Sequence, residues 1–401
     1  MIAKRLRASL DASICIRDIF EEGKKLADIY GAENIFNFSI GNPSVEPPEI
    51  VNESMIELLK TEPPLALHSY PANVGHPDVR RHVAEYLNEK YGCHYSEKGI
   101  IMTSGAAAAI AMISNALLDY GDEVITFAPY FWEYKSYVET FYGELIPAQC
   151  NMETLQPDPE TFEAAFTEKT RFVLINTPNN PTGAVYTPES LRKVAEILER
   201  KEKEYGHPIY LVSDEPYRKL SYDGIVVPYL TDYYKDTLVV YSYSKTLSIP
   251  GERIGYIAMQ PDVADFDDLI AGLTASMRYL GYVNAPSLQQ KMLLKCVDAS
   301  VDTSIYEKTR NILYDGLTKI GYTCIHPDGA FYLFMKALEE DDSHFCEEAK
   351  KERILMAPGT AFYGPGWVRV SYCVPSETAE RSLPGFQRLW DRYQNGEVEI
   401  S

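Results

Sequence analysis

Between residues 100 and 260 the sequence alternates short apolar segments with longer helical stretches, and no other feature constrains the fold as strongly. Helices are predicted at 106–118 and from Pro188 onward, and strands at 123–127, 171–176, 209–213, 237–241 and 254–259. Strands that alternate with helices usually form a mainly parallel sheet, because each parallel connection needs a crossover that covers one face. The sequence therefore predicts an α/β fold whose mainly parallel central sheet is flanked by helices.

From about residue 300 the pattern changes to a helix at 306–320 and short strands at 331–335 and 368–372. We interpret this part as a smaller α+β domain that N-terminal residues complete. A chain of 401 residues is also longer than one small domain usually is. We therefore predict a large domain over 45–295, and a small domain formed by 1–44 together with 296–401.

Composition limits the partners that the chain can have. It has 38 Lys and Arg against 58 Asp and Glu, a formal net charge of −20, and 45% hydrophobic residues, enough for a full interior. Nucleic acids and anionic membranes attract basic surfaces, so neither is expected to bind. A small anion remains possible, because backbone N–H groups and one arginine can make a site locally positive.

The seven cysteines are scattered over positions 15, 93, 150, 296, 324, 346 and 373, and no pair shows the CxxC spacing of a zinc site. We expect reduced thiols and no metal. Residues 1–19 lack the apolar core of a signal peptide. The longest apolar run, 106–113, is far shorter than the roughly 20 residues of a membrane span. A cytoplasmic protein is therefore predicted.

Polar segments follow the predicted strands where ligands of open α/β sheets bind, beyond the carboxyl ends of the strands. They are Thr-Pro-Asn-Asn-Pro-Thr-Gly at 177–183, Asp-Glu-Pro-Tyr at 214–217 and Ser-Tyr-Ser-Lys at 242–245, with Arg253 eight positions later and Thr-Ser-Gly at 103–105 before a helix. Each segment alone would be read as a turn. Together they predict one crevice that holds an Asp, an Asn, a Tyr, a Lys and an Arg.

Residues 242–256 resemble the lysine signature S-x-S-K…P-G-x-R-x-G-Y of the class I/II aminotransferase family, fold-type I enzymes that depend on pyridoxal phosphate. Asn-Asn-Pro-Thr-Gly at 179–183 and Asp-Glu-Pro-Tyr at 214–217 precede it in the family's order. The similarity runs from Ser39-Ile40-Gly41-Asn42-Pro43 to Arg369, over most of the chain.

This resemblance implies three catalytic residues. Lys245 would carry pyridoxal 5'-phosphate as a Schiff base and, once released, would move the proton from the substrate's Cα. Asp214 would keep the cofactor's ring nitrogen protonated, so that the ring can accept electrons. Tyr217 would stabilise the cofactor's phenolic oxygen together with Asn180.

The resemblance also implies residues that hold the cofactor. Its phosphate would bind the N–H groups at a helix start, where the charge of an anion is stabilised. Side chains that donate hydrogen bonds would bind it as well. The expected residues are Gly105, Ala106, Ala107, Ser242, Ser244 and Arg253. The chain departs from the family here, because a hydroxyl or amide side chain is common where it has alanine.

Phe131 is expected to stack on the ring of the cofactor, with Tyr130 and Trp132 as rivals. Tyr70 resembles the tyrosine that reaches the neighbouring subunit's phosphate, which implies a homodimer with shared active sites.

Substrate amino acids carry an α-carboxylate, and Arg369 resembles the arginine that binds it. An arginine within an apolar strand needs a partner, because a buried unpaired charge is very costly. Gly41 and Asn180 would add hydrogen bonds to the substrate.

The function implied is ping-pong transfer of an amino group from an L-amino acid to a 2-oxo acid. A carbon–sulfur lyase on the same scaffold is the alternative, since it would use the same residues. A cofactor-binding regulator without turnover is the third reading, and the acidic charge and the lack of an appended DNA-binding segment speak against it.

Specificity for the substrate's side chain stays open. Arg278 lies near where some enzymes for acidic substrates carry a second arginine, but its register does not match cleanly.

Overall fold

The fold is described from a computed structural model that covers residue 2, residue 19 and residues 21–400. Cys15 and most of residues 1–20, which belong to the predicted small domain, lie outside the described residues.

The structure consists of helices and strands whose bounds are as follows. The helices are α1 (residues 21–30), α2 (Glu49–Thr61), α3 (Pro64–His68), α4 (Pro77–Tyr91), α5 (Ala106–Leu117), α6 (Glu133–Glu139), α7 (Pro159–Ala164), α8 (Pro188–Tyr205), α9 (Tyr243–Thr246), α10 (Phe266–Tyr279), α11 (Ser287–Cys296), α12 (Ser304–Ile320), α13 (Asp342–Lys350) and α14 (Ser376–Gln394). The strands are β1 (Phe36–Asn37), β2 (Ile100–Thr103), β3 (Glu123–Ala128), β4 (Glu144–Gln149), β5 (Thr170–Asn176), β6 (Tyr210–Asp214), β7 (Thr237–Ser242), β8 (Gly255–Met259), β9 (Cys324–Ile325), β10 (Tyr332–Lys336), β11 (Ile354–Leu355), β12 (Ala357–Pro358) and β13 (Trp367–Ser371).

A seven-stranded sheet forms the centre of the larger part, in the order β2-β8-β7-β6-β5-β3-β4. Strand β8 runs antiparallel to both of its neighbours, and the other pairs are parallel. Strands β5, β6 and β7 are apolar and almost fully buried, as expected for parallel strands covered on both faces. The predicted mainly parallel sheet flanked by helices is confirmed.

The register of this sheet brings the predicted polar segments together. At the ends of β5 and β6, Asn176 pairs with Asp214, and at the end of β7 Ser242 pairs with Gly255 of β8. These positions lie side by side at one edge of the sheet, so the loops that follow them open into the same space.

The smaller part contains an antiparallel sheet in the order β12-β13-β10-β9, and a parallel pair formed by β1 and β11. Its predicted α+β character is confirmed. Phe36 and Phe38 belong to the same buried cluster as Phe331 and Val370, so N-terminal residues share a core with C-terminal ones. The limits of the two domains, at 44/45 and 295/296, stay a prediction. Over residues 21–400, no helix is both long and apolar enough to span a bilayer.

Gly255 provides a test of how the sheet supports the candidate site. A Cβ at this position would lie 2.3 Å from the carbonyl oxygen of Tyr241 and 3.2 Å from the Cα of Gly105, both of which are backbone atoms. We expect Gly255→Ala to lower the free energy of unfolding by roughly 1–3 kcal/mol, because β7 and β8 must move apart. Differential scanning calorimetry would measure this as a lower Tm.

Gly272→Ala is the matched control. Gly272 lies inside α10, and its added Cβ would meet only Ala116, at 3.7 Å. Alanine is the better helix former, so this variant should keep or raise the Tm. Equal Tm values for both variants would contradict the argument.

Candidate active site

A cavity of about 570 Å³ opens at the carboxyl ends of β5, β6 and β7. Twelve of the fourteen residues predicted for the site line it: Gly41, Ala106, Ala107, Phe131, Asn180, Asp214, Tyr217, Ser242, Ser244, Lys245, Arg253 and Arg369. Gly105 directly precedes this lining, and Tyr70 lies outside it. The structure therefore brings together residues from positions 41 to 369.

Lys245 projects into this cavity from α9, a single turn that directly follows β7. Ser242 caps the turn by accepting a hydrogen bond from the N–H of Ser244 at 3.3 Å. The Nζ of Lys245 donates to the carbonyl oxygen of Gly41 at 2.8 Å. Burial lowers the pKa of Lys245 to about 8, and the positive charges of Arg369 and Arg253 act in the same direction. A substantial fraction of this amine is therefore neutral and nucleophilic just above neutral pH.

Asp214 ends β6, and the hydroxyl of Tyr134 donates to its Oδ2 at 2.5 Å. Its Oδ1 is buried and has no hydrogen-bond partner among the described residues. Burial raises the pKa of this carboxyl to about 7. A buried acceptor without a donor is costly, so the site is suited to a ligand that brings a donor or a positive charge to Asp214.

Arg369, on β13, is buried and held in one orientation. It donates to Asn180 Oδ1 at 2.9 Å and to the carbonyl oxygen of Ser39 at 2.6 Å. Its guanidinium carbon lies 4.7 Å from the ring centroid of Tyr332 and 4.4 Å from that of Phe362. None of these groups is a carboxylate, and burial lowers the pKa of Arg369. An anion that enters the cavity would supply the missing counter-charge.

A second positive region lies where α5 begins. Gly105 caps this helix with φ of +87°, and the N–H groups of the first turn have no partner within the helix. Arg253 donates to Ser244 Oγ at 3.3 Å and to the carbonyl oxygen of Ser104 at 3.1 Å. A Cβ on Gly105 would lie 2.8 Å from the Nη2 of Arg253, so glycine permits this close approach. Such a helix start beside an arginine can bind a phosphate.

Several residues that line the cavity were missed by the prediction from sequence. Tyr134 contacts Asp214, the hydroxyl of Tyr332 lies 2.8 Å from that of Tyr217, and Asn176 donates to the carbonyl oxygen of Asp214 at 2.9 Å. Tyr137 and Glu133 also line the cavity and are hydrogen-bonded to each other. The aromatic run at 130–134 was a signal that could have indicated Tyr134.

Tyr70, a predicted site residue, and Arg278, whose role the sequence left open, do not reach this cavity in their own chain. Tyr70 is 87% exposed. Arg278 is exposed near the end of α10 and is not part of the lining. The role of Tyr70 toward a neighbouring subunit stays a prediction. No group of His, Cys, Asp and Glu side chains in the described part of the chain is arranged to hold a metal ion.

Comparison with known proteins identifies the family. The family described as Aminotransferase class I and II matches residues 33–384. An aspartate aminotransferase of Thermotoga maritima is 30% identical over 366 residues, which cover 90% of this chain and 93% of that protein. The protein in the crystal structure of an aminotransferase from Eubacterium rectale is 46% identical, with a TM-score of 0.95. The match covers 98% of this chain and 99% of that chain. The aspartate aminotransferase of Thermus thermophilus, in its structure with maleate, is 27% identical, with a TM-score of 0.83. The match covers 94% of this chain and 96% of that chain.

The chain therefore belongs to the class I and II aminotransferase family, and it is an enzyme of the aminotransferase type. The cofactor of this family is pyridoxal phosphate.

The raised pKa of Asp214 predicts how the stability of the cofactor-free chain depends on pH. When folding raises the pKa of a carboxyl group, the protonated group stabilises the fold at pH values below its unfolded pKa, which is near 3.8 for Asp214. This contribution is lost as the pH rises toward the folded pKa of about 7. Asp214→Asn removes the titration and keeps an oxygen for Tyr134. We expect the variant to be more stable than the parent at pH 8, by up to about 4 kcal/mol, and the difference to shrink toward pH 4.

Calorimetry of the cofactor-free proteins at both pH values would test this dependence. Asp315→Asn, an exposed change on α12, is the control and should show no such trend. A difference in Tm between Asp214→Asn and the parent that does not change with pH would rule out a raised pKa for Asp214.

Proposed function

We propose that the chain transfers the amino group of an L-amino acid to a 2-oxo acid by a ping-pong cycle that uses pyridoxal 5'-phosphate. The observation that carries this proposal is that one cavity holds a buried lysine amine, a carboxylate with an unpartnered oxygen and a helix start beside an arginine. Each of these groups matches one part of the cofactor.

The residues of the cavity fit the cofactor as follows. Asp214 Oδ1 has no partner of its own and can accept a hydrogen bond from a protonated ring nitrogen. The first turn of α5, with Arg253 and Ser244, offers donors to the phosphate. Lys245 offers the amine that bonds to the aldehyde carbon. When bound, pyridoxal phosphate withdraws electrons from the substrate's Cα and keeps the amino group between the two halves of the cycle.

Further residues complete the cofactor site in this proposal. Tyr217 and Asn180 donate hydrogen bonds to the phenolic oxygen, and Phe131 stacks on the ring. Ser242, Gly105, Ala106 and Ala107 add to the phosphate site. Tyr70 is assigned to the phosphate site in the cavity of a second copy of the chain. Its exposure in the single chain supports a homodimer with shared active sites. A cytoplasmic location is proposed with it.

The substrate's α-carboxylate is assigned to Arg369, with hydrogen bonds from Asn180 and Gly41. The contacts of Arg369 support this assignment, because its described hydrogen-bond acceptors are neutral and its charge is buried. Asn180 Oδ1 already accepts from Arg369, so the amide's N–H groups remain to donate.

Lys245 has two successive roles in this cycle. Its amine is displaced by the amine of the substrate and then accepts the proton from the substrate's Cα. A pKa near 8 suits both roles, because the neutral amine is both the nucleophile and the base. The carbonyl oxygen of Gly41, at 2.8 Å, accepts one of its hydrogens and holds the amine inside the cavity.

A carbon–sulfur lyase would use the same lysine and the same acid, so the two functions must be separated by their products. The relatives named above are aminotransferases, which supports transfer.

The test is an absorbance titration of the holoenzyme with single L-amino acids and no oxo acid. We expect the visible band of the cofactor to bleach once, without release of ammonia, and to return when a 2-oxo acid is added. Continuous release of ammonia and oxo acid would favour the lyase. A protein that takes up no cofactor would contradict both functions.

Lys245→Ala should retain bound cofactor but lose at least ~10³-fold in turnover, because the covalent link and the base disappear together. The measurements are cofactor content after dialysis and turnover with the best amino acid. Lys193→Ala, on the exposed side of α8, is the control and should behave like the parent. Turnover of Lys245→Ala within tenfold of the parent would contradict its assignment.

A further inference from the structure

Tyr332 lines the cavity without a role in the proposed function, and it adjoins three residues that have one. It lies on β10 and is 2% exposed. Its hydroxyl lies 2.8 Å from that of Tyr217, and its ring centroid lies 4.7 Å from the guanidinium carbon of Arg369. A Cβ on Gly41 would lie 2.0 Å from the same hydroxyl, so glycine at 41 leaves the space that Tyr332 fills.

The backbone of Tyr332 is held on both sides. In the antiparallel register of β10 and β13, Tyr332 pairs with Ser371. Arg369 is two positions from Ser371 on β13, so it is the diagonal neighbour of Tyr332, at a distance that an aromatic side chain can bridge. On the other side, a Cβ on Gly183 would lie 2.4 Å from the carbonyl oxygen of Tyr332, so the turn after β5 packs directly against this strand. The position of the ring beside Arg369 therefore follows from the backbone.

The ring of Tyr332 is one of two aromatic rings against Arg369, and that of Phe362 is the other, at 4.4 Å. The guanidinium also donates to Asn180 Oδ1 and to the carbonyl oxygen of Ser39, while its Nε has no described partner. A guanidinium within about 6 Å of the centroid of an aromatic ring is attracted to it. The ring thus helps to hold a buried cation whose hydrogen bonds alone leave one N–H free.

The hydroxyl of Tyr332 extends the hydrogen bonding of Tyr217. Burial raises the pKa of Tyr332 to about 12 and also raises the pKa of Tyr217, so both hydroxyls keep their hydrogens at neutral pH. A hydroxyl has one hydrogen, so when Tyr217 donates to the phenolic oxygen of the cofactor, Tyr332 must donate to Tyr217. A donor to Tyr217 also strengthens the hydrogen bond that Tyr217 itself donates.

We propose that Tyr332 is a positioning residue that orients Arg369 through its ring and Tyr217 through its hydroxyl. This proposal rests on the proposed function, which assigns the cofactor's phenolic oxygen to Tyr217 and the substrate's α-carboxylate to Arg369. It adds that one side chain of the smaller sheet acts on both, through two different groups of atoms.

Tyr332→Phe removes the hydroxyl and keeps the ring. The pH midpoint of the holoenzyme's visible absorbance should rise by at least about 0.5 pH units, because a weaker donor leaves more negative charge on the phenolic oxygen, and this charge holds a proton on the nitrogen of Lys245. The dissociation constant of an unreactive carboxylate should stay within about twofold of the parent, since Arg369 keeps its ring. An unshifted midpoint would overturn the role of the hydroxyl.

Tyr332→Leu removes the ring as well, and Tyr332→Met is a second variant without a ring that fills the space more adaptably. Both should show the same shift of the midpoint and a dissociation constant at least about fivefold higher, because Arg369 loses an aromatic contact. Calorimetry would use whichever of succinate and 3-phenylpropionate binds the parent more tightly, so that the test does not depend on the substrate's side chain. Dissociation constants as in Tyr332→Phe would overturn the role of the ring.

A double-mutant cycle tests whether the hydroxyl acts through Tyr217. Tyr217→Phe removes the donor to the cofactor and should raise the midpoint further than Tyr332→Phe does. Adding Tyr332→Phe to Tyr217→Phe should then shift the midpoint by less than about 0.2 pH units, because the second hydroxyl has no donor left to strengthen. A double variant whose shift equals the sum of the two single shifts would overturn the proposal.

Tyr372→Phe is the matched control. Tyr372 is also buried, and its hydroxyl donates to the carbonyl oxygen of Gly329 at 3.3 Å, but it is not part of the cavity lining. Its midpoint and dissociation constant should equal those of the parent, and a shift as large as that of Tyr332→Phe would overturn the proposal. A parent that takes up no cofactor would contradict the proposed function and with it the role of the hydroxyl. The carboxylate measurements need no cofactor, so they would still decide the role of the ring.

Discussion

One amide side chain, that of Asn176, connects the parts of the site to each other. It donates to the carbonyl oxygen of Asp214 at 2.9 Å and accepts from the N–H of Asn180 at 2.7 Å. Asn180 in turn accepts from Arg369, which belongs to the smaller sheet. The acid at the end of β6, the turn after β5 and the buried arginine are thus held in fixed relation by three hydrogen bonds. Since Asn176, Asn180 and Arg369 are all buried, each of these bonds is costly to break.

Burial also gives the site its chemistry, and it does so at the expense of stability. The same loss of water raises the pKa of Asp214 and lowers the pKa of Lys245, so both groups are shifted toward their neutral forms. Asp214 Oδ1 and Arg369 Nε are buried without a described partner. A fold that only maximised stability would avoid such groups. A ligand that pairs with them stabilises the folded state. We interpret these unpaired atoms as the mark of a site that is completed by what it binds.

The sequence was sufficient to predict the sheet, because its central strands are continuous apolar runs and each predicted strand agrees with the structure to within one residue at either end. It was not sufficient for the edge strands β2 and β4; β4 contains Pro147 and is mostly solvent-facing, so no apolar run marks it. Motif order predicted which polar residues meet, since they follow neighbouring strands. The contacts of Tyr134 and Tyr332 could not be predicted in this way. Among thirty tyrosines, only the folded arrangement brings Tyr332, on β10, to Tyr217 in the segment after β6, 115 positions away in the chain.

The two ends of the cavity are built from different elements, and this separates the cofactor from the substrate. Most of the groups assigned to the cofactor follow β3, β5, β6 and β7 or start α5, and these belong to the seven-stranded sheet and its helices. Arg369 and Tyr332 come from the antiparallel sheet, and Gly41 from the segment after β1. Changes in the second group can therefore alter how the substrate's α-carboxylate is held without moving the lysine or the acid. The two sheets therefore contribute separable parts of the site: one holds the lysine and the acid, and the other holds the buried arginine that faces the same cavity.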